Sequence, residues 1–146
     1  MPKINFFCEA SFKHGLGHLM RQIHIANEFR RQKKEVRFFI PGYQTAKDIL
    51  KQYNFSYHTV ENFDSVPNME KEDGGITILD IQNTTFTFIQ TLKNKCKKII
   101  SFEDHGEGRN SVDLLIDCNL NPENSQKISS PANILFGLPY SVLGPQ

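Results

Sequence analysis

The sequence predicts an α/β fold, a doubly wound and mostly parallel sheet of the Rossmann-like type, on two observations. Short apolar stretches recur along the chain and are separated by segments whose apolar residues have helical spacing. The apolar stretches scarcely alternate with polar residues, which is typical of strands that are buried on both faces. Strands that alternate with helices in this way indicate βαβ units, in which successive strands run parallel.

The first strand and the first helix are predicted at residues 3–10 and 18–33. Residues 3–10 are mostly apolar and lead into a turn that contains glycine. Basic residues close the helical segment, where they suit the negative end of the helix dipole. One face of this helix can pack on the sheet through four apolar side chains: Leu19, Ile23, Ala26 and Phe29.

The next elements are predicted as a strand at 36–41, a short helix at 45–54 and a strand at 55–60. The strand at 36–41 ends in a Pro-Gly pair, which favours a turn. Residues 61–74 are polar and contain both proline and glycine, so we expect an exposed loop there, with or without a helical turn.

The second half of the chain repeats this pattern. Strands are predicted at 75–81, 97–104 and 112–120, followed by a short strand at 132–138. A helix is predicted at 84–95 from the spacing of its apolar residues, although its threonines disfavour a helix. The pattern therefore continues to the end of the sequence.

Length and composition are those of one domain. The chain has 146 residues, of which 38% are hydrophobic and 23% charged, with a formal net charge of +1. This charge gives no long-range attraction to nucleic acid or to a membrane surface, and no apolar run is long enough to span a bilayer. The first residues lack the pattern of a secretory signal. We therefore expect a cytoplasmic protein whose three cysteines are buried free thiols.

Polar residues are concentrated where the predicted strands end. They lie at 14–21, 42–43, 80–83, 103–108 and 117–121. Doubly wound sheets bind ligands in the crevice at the carboxyl ends of their strands. This edge of the sheet is therefore the candidate site.

The stretch KHGLGHLMRQ turns from the first strand into the first helix through Gly15 and Gly17. Glycines allow a tight turn and close approach of a ligand, and the amides that follow favour an anion. His18 lies in the first helical turn, where the positive end of the dipole favours a neutral imidazole and hence a base near pH 7. Arg21 is a candidate for holding an anion. From spacing alone, a purely structural turn and a structural histidine fit equally well.

The other candidates are carboxylates and amides at later strand ends. Asp80 ends its strand, and Asn83 follows at a position that also suits a helix cap. Glu103 and Asp104 lie in the stretch FEDHGEGRN, whose carboxylates can accept hydrogen bonds from sugar hydroxyls or simply form a solvated turn. Asn119 has the same ambiguity as Asn83, between a site residue and a structural cap.

The sequence does not favour a bound cofactor or a metal. A dinucleotide fingerprint needs a third glycine where Met20 stands, and an acidic residue after the second strand, where IPGYQ has none. The histidines at 14, 18 and 24 suggest a metal site, but no acidic residue completes a local set of ligands. We therefore expect no cofactor and no metal.

The stretch GLGHLMRQIHIANEF resembles the G-x-G-H-x-x-R…L-A signature of the nucleotide-sugar hydrolase of pseudaminic acid biosynthesis. The stretches ILDIQNTTFTFIQTLK, IISFEDHGEGRNSVDLLID and LFGLPYSVL resemble, in the same order, segments of related spore coat polysaccharide biosynthesis proteins. The FEDHGEG form is more similar to the spore coat branch. These proteins are similar to the GT-B glycosyltransferases, in which two Rossmann-like domains face a cleft. The arginine that closes the family's last segment is replaced here by Gly144.

The resemblance implies that residues 1–146 form a single Rossmann-like domain, the N-terminal half of a GT-B protein. It implies that a C-terminal nucleotide-binding domain is supplied in cis or in trans. It also implies that His18 is the general base, that Gly15 and Gly17 shape its loop, and that Arg21 is the motif arginine. The other residues expected to bind substrate are Asp80, Asn83, Glu103, Asp104 and Asn119.

The expected function is that of a nucleotide-sugar hydrolase or glycosyltransferase domain in surface or spore coat polysaccharide biosynthesis. Its substrate is expected to be a UDP-activated, or CMP-activated, amino or deoxy sugar. The alternative is a non-catalytic sugar- or acceptor-binding subunit that needs a partner with the nucleotide-binding domain. A metal or redox protein ranks third. The isolated chain is expected to be weakly active or inactive, because positioning of both reactants supplies much of the rate.

Overall fold

The predicted α/β fold is confirmed by a computed structural model, which describes residues 2–63, 75–119 and 133–141. The described residues form one sheet of seven parallel strands in the order β3-β2-β1-β4-β5-β6-β7. The strands are β1 (Ile4–Cys8), β2 (Val36–Pro41), β3 (Ser56–Val60), β4 (Ile76–Asp80), β5 (Lys98–Phe102), β6 (Leu114–Asp117) and β7 (Asn133–Phe136). The helices are α1 (Gly17–Arg31), α2 (Gln44–Gln52) and α3 (Phe86–Lys93), with 3₁₀ helices at Glu107–Ser111 and Leu138–Tyr140.

Helices cover both faces of the sheet, which explains why its central strands are mostly apolar. Successive side chains of a strand point to opposite faces. Phe6 stacks on Phe38 in the core beneath α1 and α2, whereas Phe7 stacks on Phe39 in the core beneath α3. All of β1 is therefore buried, as its lack of alternation predicts.

The order of the strands reverses between β1 and β4, and this reversal places the site. The chain builds outward from β1 to β3 on one side and from β4 to β7 on the other. A crevice opens at such a switch point, beyond the carboxyl ends of the two central strands. Cys8 and Asp80 are paired at these ends, and α1 begins at Gly17 above them.

Several strands begin later or end earlier than predicted. The strand predicted at 97–104 spans Lys98–Phe102, and the one predicted at 112–120 spans Leu114–Asp117. Most of the predicted loop at 61–74, and the first residue of the strand predicted at 132–138, lie outside the described residues. The 3₁₀ helix at Glu107–Ser111 was not predicted. None of the described helices is both long enough and apolar enough to cross a membrane.

The prediction of three buried thiols is wrong for two of them. Cys8 is fully buried in β1, but Cys96 and Cys118 are partly exposed. Both follow regular elements, at the end of α3 and of β6, where the chain returns to the surface. Cys8 and Cys118 are free thiols.

Candidate active site

The glycine turn between β1 and α1 places the start of the helix at the switch point. Ser11 and Gly15 form an antiparallel bridge, in which the Gly15 amide donates to the Ser11 carbonyl over 2.8 Å. Gly15 has a φ of +72°, in the left-handed region that glycine adopts at little cost. Gly17 is the first residue of α1, and His18 follows it in the first helical turn, as predicted.

His18 is paired with a buried carboxylate. Its Nδ1 lies 2.5 Å from Oδ1 of Asp80, which ends β4 and is 0% exposed. The two residues are 62 positions apart in the sequence. An Nδ1–H that donates to the carboxylate leaves Nε2 as the acceptor nitrogen of the neutral ring. Within the described residues Nε2 has no protein partner, so it is available to a ligand.

Asp80 also holds two further side chains of α1. Arg21 donates from Nε and Nη2 over 2.8 and 2.7 Å, and Gln22 donates from Nε2 over 2.7 Å. Each carboxylate oxygen therefore accepts two hydrogen bonds. Because Asp80 is saturated and has no exposed surface, it positions His18 and Arg21 and does not contact a ligand. Gln22, fully buried, is a site residue that the sequence analysis missed.

Arg21 links Asp80 to the loop after β5. Its Nη1 lies 3.0 Å from Oε1 of Glu103, and its guanidinium lies 5.4 Å from the centre of the Phe102 ring. Two carboxylates therefore share its positive charge. This pairing differs from the expected role of Arg21 as a free anion ligand.

Glu103 receives a second set of contacts from the end of β6. The thiol of Cys118 donates to its Oε1 over 2.9 Å, and Asn119 donates from Nδ2 over 3.4 Å. Glu103 has a φ of +48°, which is uncommon for a residue other than glycine. Predicted residues from α1, β4, β5 and β6 thus form one connected network.

Asp104 and Asn83 do not join this network. Asp104 is fully buried and accepts hydrogen bonds from the backbone and hydroxyl of Thr84, from the Ser101 hydroxyl and from the Gly106 amide. It therefore fastens the loop after β5 to the loop after β4. Asn83 is exposed next to this attachment. The interpretation of Asn83 as a helix cap is wrong, because α3 is capped by Thr85, whose hydroxyl accepts from the Phe88 amide.

The glycines of FEDHGEG are required by close packing in this attachment. A Cβ at Gly106 would overlap the backbone of Thr84, and one at Gly108 would overlap the Thr84 side chain and Ile89. Only glycine lets the two loops approach this closely. The attachment in turn fixes the backbone that carries Glu103.

The charges of the network shift its pKa values. The hydrogen bond with Asp80 raises the pKa of His18 above 6.5, although burial partly opposes it. This direction corrects the expectation from the helix dipole, because a direct bond to a carboxylate outweighs the dipole. Burial raises the pKa of Asp80, but the hydrogen bonds from His18 and Arg21 outweigh it and the pKa is lowered from 3.8. Burial lowers the pKa of Arg21, but the hydrogen bonds to Asp80 and Glu103 outweigh burial, so the pKa of Arg21 is raised.

An open pocket of about 380 Å³ lies above the network and is lined by His14, Gly17, His18, Arg21 and Glu103. His14 is held by Ser11, whose hydroxyl accepts from the His14 amide over 3.0 Å. Its Nε2 lies 3.7 Å from a carboxylate oxygen of Glu9. Within the described ranges, no three histidine, cysteine or acidic side chains are grouped so as to hold a metal ion. The pocket therefore offers a base, Nε2 of His18, beside a carboxylate.

The fold and site define a Rossmann-like α/β domain in which a partly exposed histidine is paired with a buried aspartate at the switch point. Among curated proteins, the uncharacterized protein MJ1062 of Methanocaldococcus jannaschii is 24% identical to the chain over 127 residues. The match covers 83% of the chain and 26% of that protein, so the chain spans about a quarter of the length of this relative. No protein-family model matches the chain. No solved structure matches it significantly.

Proposed function

We propose that the chain is the N-terminal domain of a nucleotide-sugar hydrolase or glycosyltransferase in which His18 is the general base. The observation that carries the proposal is the pair of His18 with buried Asp80 beside an open pocket. A buried carboxylate that holds one imidazole nitrogen fixes the tautomer, so that the other nitrogen can accept a proton. It also stabilises the imidazolium that forms when the proton arrives.

In the proposed hydrolysis, a water oxygen bonds to the anomeric carbon of the sugar while the bond from that carbon to the phosphate oxygen breaks. Nε2 of His18 takes the proton of the water, and the nucleotide (UDP or CMP) leaves with the bonding electron pair. In transfer, the hydroxyl of an acceptor replaces the water. The pKa of His18, raised by Asp80, makes it a stronger base once it is deprotonated.

The nucleotide and the pathway come from the sequence resemblance. It suggests a UDP-linked, or CMP-linked, amino or deoxy sugar and a role in surface or spore coat polysaccharide biosynthesis. Free thiols at Cys8 and Cys118 are typical of a reducing compartment, and we propose that the protein is cytoplasmic.

A second candidate is a binding subunit whose partner supplies the nucleotide-binding domain, in cis or in trans. One observation favours it. Arg21, the arginine of the pocket lining, is already paired with Asp80 and Glu103. Neutralising the charge of a diphosphate would therefore require groups from elsewhere, and the isolated chain is expected to turn over slowly or not at all.

The test is His18→Ala in the protein at its native length, assayed for nucleotide release from a panel of UDP- and CMP-sugars. We expect kcat to fall by about a hundredfold or more, the usual scale for a lost general base. His24→Ala is the matched control, because His24 lies on the same helix outside the pocket lining. Undiminished kcat in His18→Ala would remove His18 from the mechanism. Sugar binding without turnover of any substrate would favour the binding subunit.

A further inference from the structure

The carboxylate of Glu103 is held in place through one of its two oxygens. Arg21, Cys118 and Asn119 all contact Oε1. The backbone beneath is fixed as well, because the Glu103 amide donates to the Ile116 carbonyl over 2.8 Å. The side chain is therefore oriented from the ends of both β5 and β6.

The second oxygen of this carboxylate is available to a ligand. Within the described residues, Oε2 of Glu103 has no hydrogen-bond partner, and the residue lines the same pocket as His18. An ionised carboxylate oxygen is an acceptor only. A ligand group at this position must therefore carry a hydrogen-bond donor.

The charges around the pocket favour a positively charged donor. Asp80 and Glu103 are two carboxylates that share the single guanidinium of Arg21. A carboxylate oxygen of Glu9 lies 3.7 Å from Nε2 of His14, which lines the pocket, so Glu9 adds a further acidic group next to the lining. When both histidines are neutral, the pocket has an excess of negative charge. An ammonium group on the ligand would offset this excess, whereas a carboxylate on the ligand would be repelled.

We infer that Glu103 is the residue that selects the ligand, and that the pocket prefers a sugar with a free, protonated amino group over a neutral or acidic sugar. The inference rests on the proposed function for the identity of the ligand as a sugar. The inference goes beyond the proposed function because it names the substituent of the sugar and the residue that recognises this substituent. A charge-assisted hydrogen bond from the ammonium to Oε2 provides the discrimination.

The test is an NMR titration of the ¹⁵N-labelled chain with glucosamine, glucose and glucuronate, followed through the amides of Gly17 and His18. We expect glucosamine to bind about tenfold or more tightly than glucose, and glucuronate to bind most weakly. Glu103→Gln should bind glucosamine and glucose equally, because its neutral amide retains an acceptor for Arg21 but loses the charge. Glu107→Gln, in the same loop, is the matched control and should keep the preference.

Equal binding of glucosamine and glucose by the unmodified chain would overturn the inference, as would binding of neither sugar. A preference that survives in Glu103→Gln would also overturn it. The titration needs no turnover, so its result is separate from that of the activity assay. Hydrolysis of nucleotide sugars without a preference for a free amine refutes this inference alone. A glucosamine preference in the chain, together with no turnover by the protein at its native length, refutes the proposed catalysis alone.

Discussion

Replacing Asp80 by asparagine is expected to weaken the fold and the site together. The carboxylate is fully buried and accepts hydrogen bonds from His18, Arg21 and Gln22. An amide retains one acceptor oxygen, turns an NH₂ group towards existing donors, and leaves the Arg21 charge paired with Glu103 alone. Removing one partner of a buried ion pair costs about 3–5 kcal/mol. This is a large part of the ~5–15 kcal/mol by which a domain is stable.

The same substitution is expected to lower the pKa of His18, since its hydrogen bond to Asp80 is the largest cause of the upward shift. Urea unfolding followed by circular dichroism would measure the stability, and an NMR titration of the imidazole nitrogens would measure the pKa. Asp113→Asn is the matched control, because this side chain is 33% exposed and the asparagine oxygen can still accept from the Ile99 amide, so that only the surface pair with Lys98 is lost. We expect that control to lose less than about 1 kcal/mol.

A loss of stability in Asp80→Asn no larger than that in Asp113→Asn would contradict the expected role of Asp80. A His18 pKa in the folded variant equal to that of the unmodified protein would contradict it as well. Either result would mean that the pair of His18 and Asp80 is not the electrostatic centre of this edge of the sheet.

Because the pKa of His18 is raised in the folded protein, the stability that its pairing with Asp80 provides is fully present below the unfolded pKa of 6.5 and is lost as the pH rises through the folded pKa. Urea unfolding between about pH 6 and 9 should show this loss in the unmodified protein and not in His18→Gln, and the same pH dependence in both would contradict it. Gly106→Ala should destabilise the protein by about 1–3 kcal/mol in the same assay, because the added Cβ overlaps the Thr84 backbone. At Gly42 an added Cβ would meet no other heavy atom of the described residues within 4 Å, so Gly42→Ala should be neutral or mildly stabilising. Equal losses of stability in the two variants would exclude the packing role of Gly106.

The order of strands and helices could be predicted because it depends on local patterns. Consecutive apolar residues in β1 indicate a strand covered on both faces, and the apolar positions of α1 recur at the spacing of one helical face. The glycines before His18 indicate the turn that brings the helix start to the strand ends. These signals span only a few residues each, so neighbouring side chains suffice to produce them.

The partners of the polar side chains were decided by the tertiary structure. Glu103 and Asp104 are adjacent, but Glu103 lines the pocket while Asp104 is buried against Thr84. Glutamine is usually exposed on a helix, and Gln22 is buried only because the face of α1 that carries it lies over Asp80.

The sequence by itself determined the α/β architecture, the turn that carries His18 and the strand ends where polar residues gather. Only the tertiary structure decided that Asp80, 62 positions away, holds His18 and raises its pKa. The physical reason is one of range. Hydrophobic periodicity is present in the sequence of each element by itself. Hydrogen bonds and charges act over a few ångströms, between elements that only the folded sheet brings together.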